Sequence, residues 1–187
     1  MGKVIVIEFV TLDGIVEDPD GSGGTPGGGW AFRFGPDAVA GDKFKLGPIF
    51  DTGVLLVGRS TWELFSRIWP NRTGEFANAM NRIQKVVVSR SAPIFDAWSN
   101  TSPLEGELVE GVSSLRRDRD VVVVGSMSVV HALAAADAVD EYRLLVFPTA
   151  LGAGEKLFVA PVDLQLTSIE VSSTAVLARY QRAASPV

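Results

Sequence analysis

Val54-Leu55-Leu56-Val57-Gly58-Arg59-Ser60-Thr61-Trp62 decides how the rest of the chain reads. An apolar run long enough to cross a sheet stops at a glycine and gives way to Arg, Ser and Thr. A second unit repeats the pattern, Val121-Val122-Val123-Val124-Gly125-Ser126, followed by residues with helical spacing. Unbroken aliphatic runs are the composition of strands buried on both faces, as in a parallel sheet. Glycine at the carboxyl end lets the backbone approach a ligand closely, and helix-start amides there suit a phosphate. Two such endings point to one extended phosphorylated ligand at the edge of a parallel sheet.

Working outward, Lys85-Val86-Val87-Val88-Ser89-Arg90 is a third apolar strand that ends in a polar pair. In an open α/β sheet, ligands sit outside the carboxyl ends of the parallel strands. Gly58-Arg59-Ser60-Thr61, Ser89-Arg90 and Gly125-Ser126-Met127 therefore belong to one rim. Arg59 and Arg90 carry guanidinium forks that match phosphate oxygens two at a time. Thr61 and Ser126 are either hydroxyl donors to that ligand or helix caps, and the arginines are either ligands or solvated charges. No G-x-G-x-x-G follows the first strand, which argues against a standard Rossmann site, and no G-x-x-x-x-G-K-[ST] occurs, so there is no P-loop.

The remaining elements follow the same alternation. Residues 3–10 read as a strand interrupted by Glu8, and Leu12-Asp13-Gly14 is a turn. Helical spacing predicts residues 36–50, 61–68, 78–83, 108–117 and 128–138 as helices. Residues 142–147, 164–171 and 175–182 read as strands, the last two antiparallel. The expectation is one α/β domain over residues 1–187, parallel in its centre and antiparallel at one edge. Residues 18–29 are rich in Gly and Pro, and read as a mobile functional loop or a poorly ordered insertion.

Bulk composition narrows the function. The 187 residues are 47% hydrophobic and 21% charged, with a net charge of −5, no cysteine and one histidine, His131. An acidic balance argues against general nucleic-acid binding. Disulfides, thiolate chemistry and Cys-based metal sites are excluded, and a single histidine builds no His-rich metal site. No apolar run reaches a membrane span, and the N-terminus lacks a signal-peptide pattern, so a soluble cytoplasmic protein is expected.

At the level of ordered motifs the chain resembles the dihydrofolate reductase-like superfamily, most nearly the branch of the riboflavin-biosynthesis reductase C-terminal domain. The resemblance runs through Thr11-Leu12-Asp13-Gly14, Leu55 to Glu63, Met80-Asn81, Lys85 to Arg90, Trp98-Ser99-Asn100 and Val124-Gly125-Ser126. It continues through Val139 to Leu144, Phe147-Pro148-Thr149-Ala150-Leu151-Gly152-Ala153-Gly154 and Leu157-Phe158, and departs in the 18–29 segment. It implies a three-layer sandwich with a mixed, mostly parallel sheet and flanking helices. It also implies a homodimer that binds NADPH and reduces a small heterocyclic or carbonyl substrate.

By position, the resemblance puts Gly58, Arg59, Ser60, Thr61, Ser89, Arg90, Gly125, Ser126 and Met127 around the phosphates. Arg59 and Arg90 would face the adenosine 2′-phosphate. Leu151, Gly152 and Gly154 would lie by the nicotinamide or the substrate mouth. A hydride acceptor is helped by an acid that protonates its other end. Asp42 has the spacing of the folate-reductase carboxylate, and Asp13 lies beside the expected pocket, so both are candidate proton donors and Asp13 is also a candidate substrate ligand. Trp30, after the Gly-rich loop, is either a substrate wall or a loop anchor; Phe34, Trp62, Trp69 and Trp98 offer further rings, though aromatics are more often core. Val139-Asp140-Glu141 is a solvated turn or a dimer contact. Two other readings stay open: an NADP(H)-binding protein without turnover, and a dimeric scaffold whose fold outlived its chemistry.

Overall fold

The computed structural model describes residues 1–91 and 95–183. Eight strands form a mixed sheet in the order β4-β3-β2-β5-β1-β6-β8-β7. They are β1 (Val4–Thr11), β2 (Val54–Gly58), β3 (Gln84–Val88), β4 (Thr101–Pro103), β5 (Val121–Val123), β6 (Glu141–Phe147), β7 (Leu164–Ser172) and β8 (Ala175–Arg182). Five helices accompany them: α1 (Ile49–Thr52), α2 (Arg59–Ile68), α3 (Glu75–Arg82), α4 (Leu108–Leu115) and α5 (Met127–Ala135). The chain divides into two compact units, residues 1–6 with 46–139 and residues 7–45 with 140–187.

The first unit holds the parallel strands. β2 pairs in parallel with β3 and with β5, β3 with β4, and the start of β1 with β5. Val54, Leu55, Leu56 and Val57 are all buried, as their unbroken apolar run requires. Register aligns Gly58 with Val88 and Leu56 with Val123, so β2, β3 and β5 end on the same edge.

One charge lies inside this unit. Lys85 on β3 is fully buried. Its ammonium donates to the carbonyls of Asn81 (2.7 Å) and Met80 (3.4 Å) in the last turn of α3, and sits 4.5 Å from the Trp98 ring centre. Trp98 Nε1 donates to Asn81 Oδ1 at 2.8 Å, and Asn81 Nδ2 to the Trp69 carbonyl at 3.0 Å. Desolvation lowers the ammonium's pKa from 10.5 to about 8. Between those values the unfolded chain binds more protons than the folded one, so Lys85 makes stability rise as pH climbs from 8 to 10.5. Thermal unfolding of Lys85→Met should lack that rise, seen as a wild-type-minus-variant difference that grows across this window.

The second unit is antiparallel, with β8 between β6 and β7. Its core gathers Trp30, Ala31, Ala38, Leu145, Phe147, Ala175 and Leu177. Phe147 is ringed by Phe9 (5.3 Å), Trp30 (5.5 Å) and Phe34 (5.7 Å). Arg143 and Glu141 are both buried on β6 and form a 2.7 Å ion pair, while Arg143 Nη1 also donates to the Phe44 and Lys45 carbonyls. Glu141 is therefore not a solvated turn residue. A charge pair two residues apart in a strand shares one face, and here that face is covered.

The segment 36–50 departs from the helix expected of it. A single 3₁₀ turn covers Pro36–Ala38, bends follow, and only Ile49–Thr52 is helical. Gly41 (φ +79°), Lys45 (φ +54°) and Gly47 (φ +49°) adopt left-handed backbone that no α-helix accommodates. Short β4 escaped the sequence reading altogether, because Thr-Ser-Pro is not a strand composition.

The Gly-rich loop is folded around one carboxylate. Asp18 accepts the amides of Gly23 (2.8 Å) and Thr25 (3.0 Å) and the Thr25 hydroxyl (3.0 Å). Its carbonyl accepts the amide of Gly29 at 2.9 Å, and Ala31 N closes the loop onto the Pro19 carbonyl at 3.1 Å. Partial burial pushes the Asp18 pKa up, but these donors outweigh it and hold it below 3.8. Asp18→Asn loses the charge and turns its N–H₂ against the Gly23 or the Thr25 amide, both donors; it should cost at least about 1 kcal/mol. Faster proteolysis within residues 20–28 would register the loss.

Candidate functional site

In the first unit, the carboxyl ends of β2 and β5 each run into a helix. Gly58 is the residue before α2 and Ser126 the residue before α5. The two junctions touch: Gly58 N donates to the Gly125 carbonyl at 3.2 Å. A Cβ placed on Gly58 would overlap the Ser126 Oγ and approach Ser126 Cβ to 2.9 Å and N to 3.0 Å. A Cβ on Gly125 (φ +50°) would sit 2.8 Å from Thr61 Oγ1. The Gly125–Ser126 peptide is cis. Glycine is needed at Gly58 for close approach alone, because its φ of −72° suits any residue.

Neither helix start has a side-chain cap, and neither has an acidic residue in its first turn. Ser126 occupies the cap position without making the cap bond, and Thr61 is the third residue of α2. The capping reading of both hydroxyls is thereby set aside. Two uncapped helix starts with their dipoles unopposed give this corner a positive potential.

The arginines stand beside it. Arg59 opens α2, and its side chain is half exposed. Its Nε donates to Glu63 Oε1 at 2.7 Å and its Nη1 to Ser91 Oγ at 2.8 Å. That second bond ties the β2 rim to the segment after β3, where Ser89 Oγ and Ser91 Oγ lie 3.4 Å apart. Arg90 is exposed between these serines. The expected rim residues Gly58, Arg59, Ser60, Thr61, Ser89, Arg90, Gly125, Ser126 and Met127 thus all belong to this unit. Glu63 and Ser91 were not anticipated. The i, i+4 spacing of Arg59 and Glu63 was a readable signal, whereas nothing in the sequence points Arg59 at Ser91.

In the second unit, Asp13 meets the loop holding Leu151, Gly152 and Gly154. Its carboxylate accepts the Thr11 hydroxyl at 2.5 Å and the amides of Leu151 (3.1 Å) and Gly152 (2.6 Å). The Thr11 hydroxyl, then the Gly152 and Leu151 amides, hold the Asp13 pKa below 3.8. A carboxyl held ionised in this way is poorly matched to donating a proton near neutrality.

Asp42 lies in the bend after Gly41, half-buried, so the helix that was to aim it does not exist. Trp30 is corrected from a substrate wall to a core anchor. Its side chain is wholly buried, its ring meets Phe147 edge-on, and its Nε1 donates to the Glu17 carbonyl at 2.8 Å. Trp62 packs edge-on to Phe95 at 5.3 Å, in keeping with a core role. Among the described residues there is no cluster of three His, Cys, Asp or Glu that could hold a metal, and no helix long and apolar enough to cross a membrane.

Comparison with known proteins adds to this geometry. A family model described as RibD C-terminal domain matches residues 2–178. The uncharacterised protein YyaP of Bacillus subtilis (strain 168) is 24% identical over 185 residues, covering 94% of this chain and 92% of YyaP. The putative riboflavin biosynthesis protein of Shewanella sp. PV-4 superposes with a TM-score of 0.73 at 18% identity, over 98% of this chain and 100% of that one. A pyrimidine reductase-like protein of Corynebacterium diphtheriae superposes with a TM-score of 0.65 at 13% identity, over 98% and 92%. A Thermotoga maritima diaminohydroxyphosphoribosylaminopyrimidine deaminase/5-amino-6-(5-phosphoribosylamino)uracil reductase gives 0.61 at 18%, over 97% of this chain and 57% of its own. At these identities the structural matches establish the fold: the mixed sheet is that of the dihydrofolate reductase-like proteins.

Proposed function

The chain belongs to the RibD C-terminal domain family, and from that premise we propose that it is an NADPH-dependent reductase of a small heterocyclic or carbonyl substrate. One observation carries the reading: two uncapped helix starts meet at Gly58 and Gly125-Ser126, with Arg59 opening one of them and Arg90 exposed just after the neighbouring strand β3. The donor set fits the cofactor. Amides and hydroxyls of Ser60, Thr61, Ser126 and Met127 suit the pyrophosphate, and the Arg pair suits a 2′-phosphate. The absence of a side chain at Gly58 lets the Ser126 side chain and the two helix starts come together at this corner. Leu151, Gly152 and Gly154 are the proposed neighbours of the nicotinamide. The bound cofactor would supply the hydride; the chain's part is to bind and orient it.

A second reading, an NADP(H)-binding protein without turnover, is favoured by one finding. Asp13 only accepts hydrogen bonds, and Asp42 has lost its helix. Thermal-shift titration separates the possibilities at the first step. NADPH should raise the melting temperature well above NADH or ATP at equal concentration, following the mass-action stabilisation of a bound native state. Equal shifts from NADPH and NADH would remove the 2′-phosphate assignment. Oxidation of NADPH against a panel of heterocyclic and carbonyl compounds, followed at the nicotinamide absorbance, then distinguishes reductase from binding protein.

A further inference from the structure

We propose that Asp13 is a positioning residue, a carboxylate latch that fixes the 150–154 loop, and not the acid of the reaction. Backbone bonds secure the chain on either side of that loop. Leu12 N donates to the Thr149 carbonyl (2.8 Å), Val16 N to Glu155 (2.9 Å) and Leu157 N to Gly14 (3.0 Å), while Ile15 bridges Lys156 antiparallel. Between these anchors, Gly152 (φ +78°) and Gly154 (φ +135°) turn the chain through conformations that offer it no ladder partner. What holds the turn is Asp13, which takes the Leu151 and Gly152 amides on one oxygen and the Thr11 hydroxyl on the other. Thr11 is itself fixed, because its Oγ1 also accepts the buried Ile15 amide at 2.9 Å.

All of these bonds to Asp13 run toward the carboxylate. Three donors converge on one carboxylate, and protonation would take both an acceptor lone pair and the charge from that set. Charge-assisted bonds of this kind are shorter and stronger than neutral ones. The other ionisable groups around the loop are Glu17, whose Oε2 lies 3.0 Å from where a Gly154 Cβ would be, and Glu155 and Lys156 within the bridging segment. Asparagine at position 13 has the same outline and can turn its N–H₂ to the Thr11 hydroxyl, but it gives up the charge that strengthens the two amide bonds. Through this loop Asp13 would set the backbone that meets the nicotinamide, a last step that rests on the reductase reading.

The test has two arms. In ¹H–¹⁵N spectra, the Gly152 amide should titrate with a midpoint below 3.8, the ordinary value for Asp13. Thr11→Val should move that midpoint up, and Asp13→Asn should abolish the step. A Gly152 amide that shows no such titration overturns the latch. In the second arm, Asp13→Asn should weaken NADPH about tenfold, about 1.4 kcal/mol, and leave adenosine 2′,5′-bisphosphate, which lacks the nicotinamide half, unchanged. Equal weakening of both probes overturns the positioning role. Failure of both probes to bind the unaltered protein overturns the reductase reading alone, and the Gly152 titration still decides the latch.

Discussion

Replacing Arg59 and Arg90 together with alanine should weaken NADPH about a hundredfold and leave NADH within a few-fold. A hydrogen bond to a charged partner contributes about 1.5–3 kcal/mol, and both guanidiniums are solvent-exposed, so the lower end applies to each. Two such losses sum to about 3 kcal/mol, which is about two decades in affinity. Raising the salt concentration should narrow the difference between variant and parent, because exposed charges are screened within about 10 Å at 0.1 M. Glu63 supplies an internal control. It competes for the Arg59 Nε at 2.7 Å, so Glu63→Gln should tighten NADPH modestly while Arg59→Ala loosens it. Calorimetric titration with both dinucleotides decides the matter. If the double variant binds NADPH as before, or loses NADH to the same degree, the arginines do not read the 2′-phosphate.

The second large effect is on the corner itself. Gly58→Ala should cost about 2–3 kcal/mol, the usual scale for forcing a methyl into a filled space. For a chain of this size that is about 5–10 °C in melting temperature. Rotation of the Ser126 hydroxyl relieves only part of the overlap, because Ser126 Cβ at 2.9 Å and N at 3.0 Å are not free to swing away. Ser126→Gly in the same molecule removes Cβ and Oγ together and should restore part of the loss. The two sites must then show a coupling above about 0.5 kcal/mol in a double-mutant cycle. Additive behaviour, or an undisturbed melting temperature in Gly58→Ala alone, would contradict the close approach of the two helix starts.

Much of this site could be read from residues alone, for a physical reason. Val54–Val57 and Val121–Val123 are buried, so their apolar runs are unbroken and the polar residues that follow stand out. What the sequence concealed depends on contacts between distant residues. Nothing local distinguishes Asp18 as the hub of its loop, since the amides it gathers come from five and seven residues on. Trp30 reads equally well as a wall or an anchor until Phe147, more than a hundred positions later, takes its ring edge. Lys85 sits in an apolar strand because the end of α3 supplies carbonyls and Trp98 a ring face. Asp42 misled through spacing: a distance counted along the chain becomes a distance in space only if the intervening residues are helical, and the left-handed residues at 41, 45 and 47 prevent that.

The Asp18 loop has a practical consequence for engineering. Its entry and exit are stapled together where Ala31 N meets the Pro19 carbonyl, and Trp30 nails the exit into the core. Between them Asp18 gathers Gly23 and Thr25, and Arg33 Nη2 donates to the Gly27 and Gly28 carbonyls. Closing a longer loop costs only about 0.6 kcal/mol per doubling of length. A peptide inserted at the exposed Gly24, with Gly23 and Thr25 kept as partners of Asp18, should therefore be displayed at the surface with the scaffold intact.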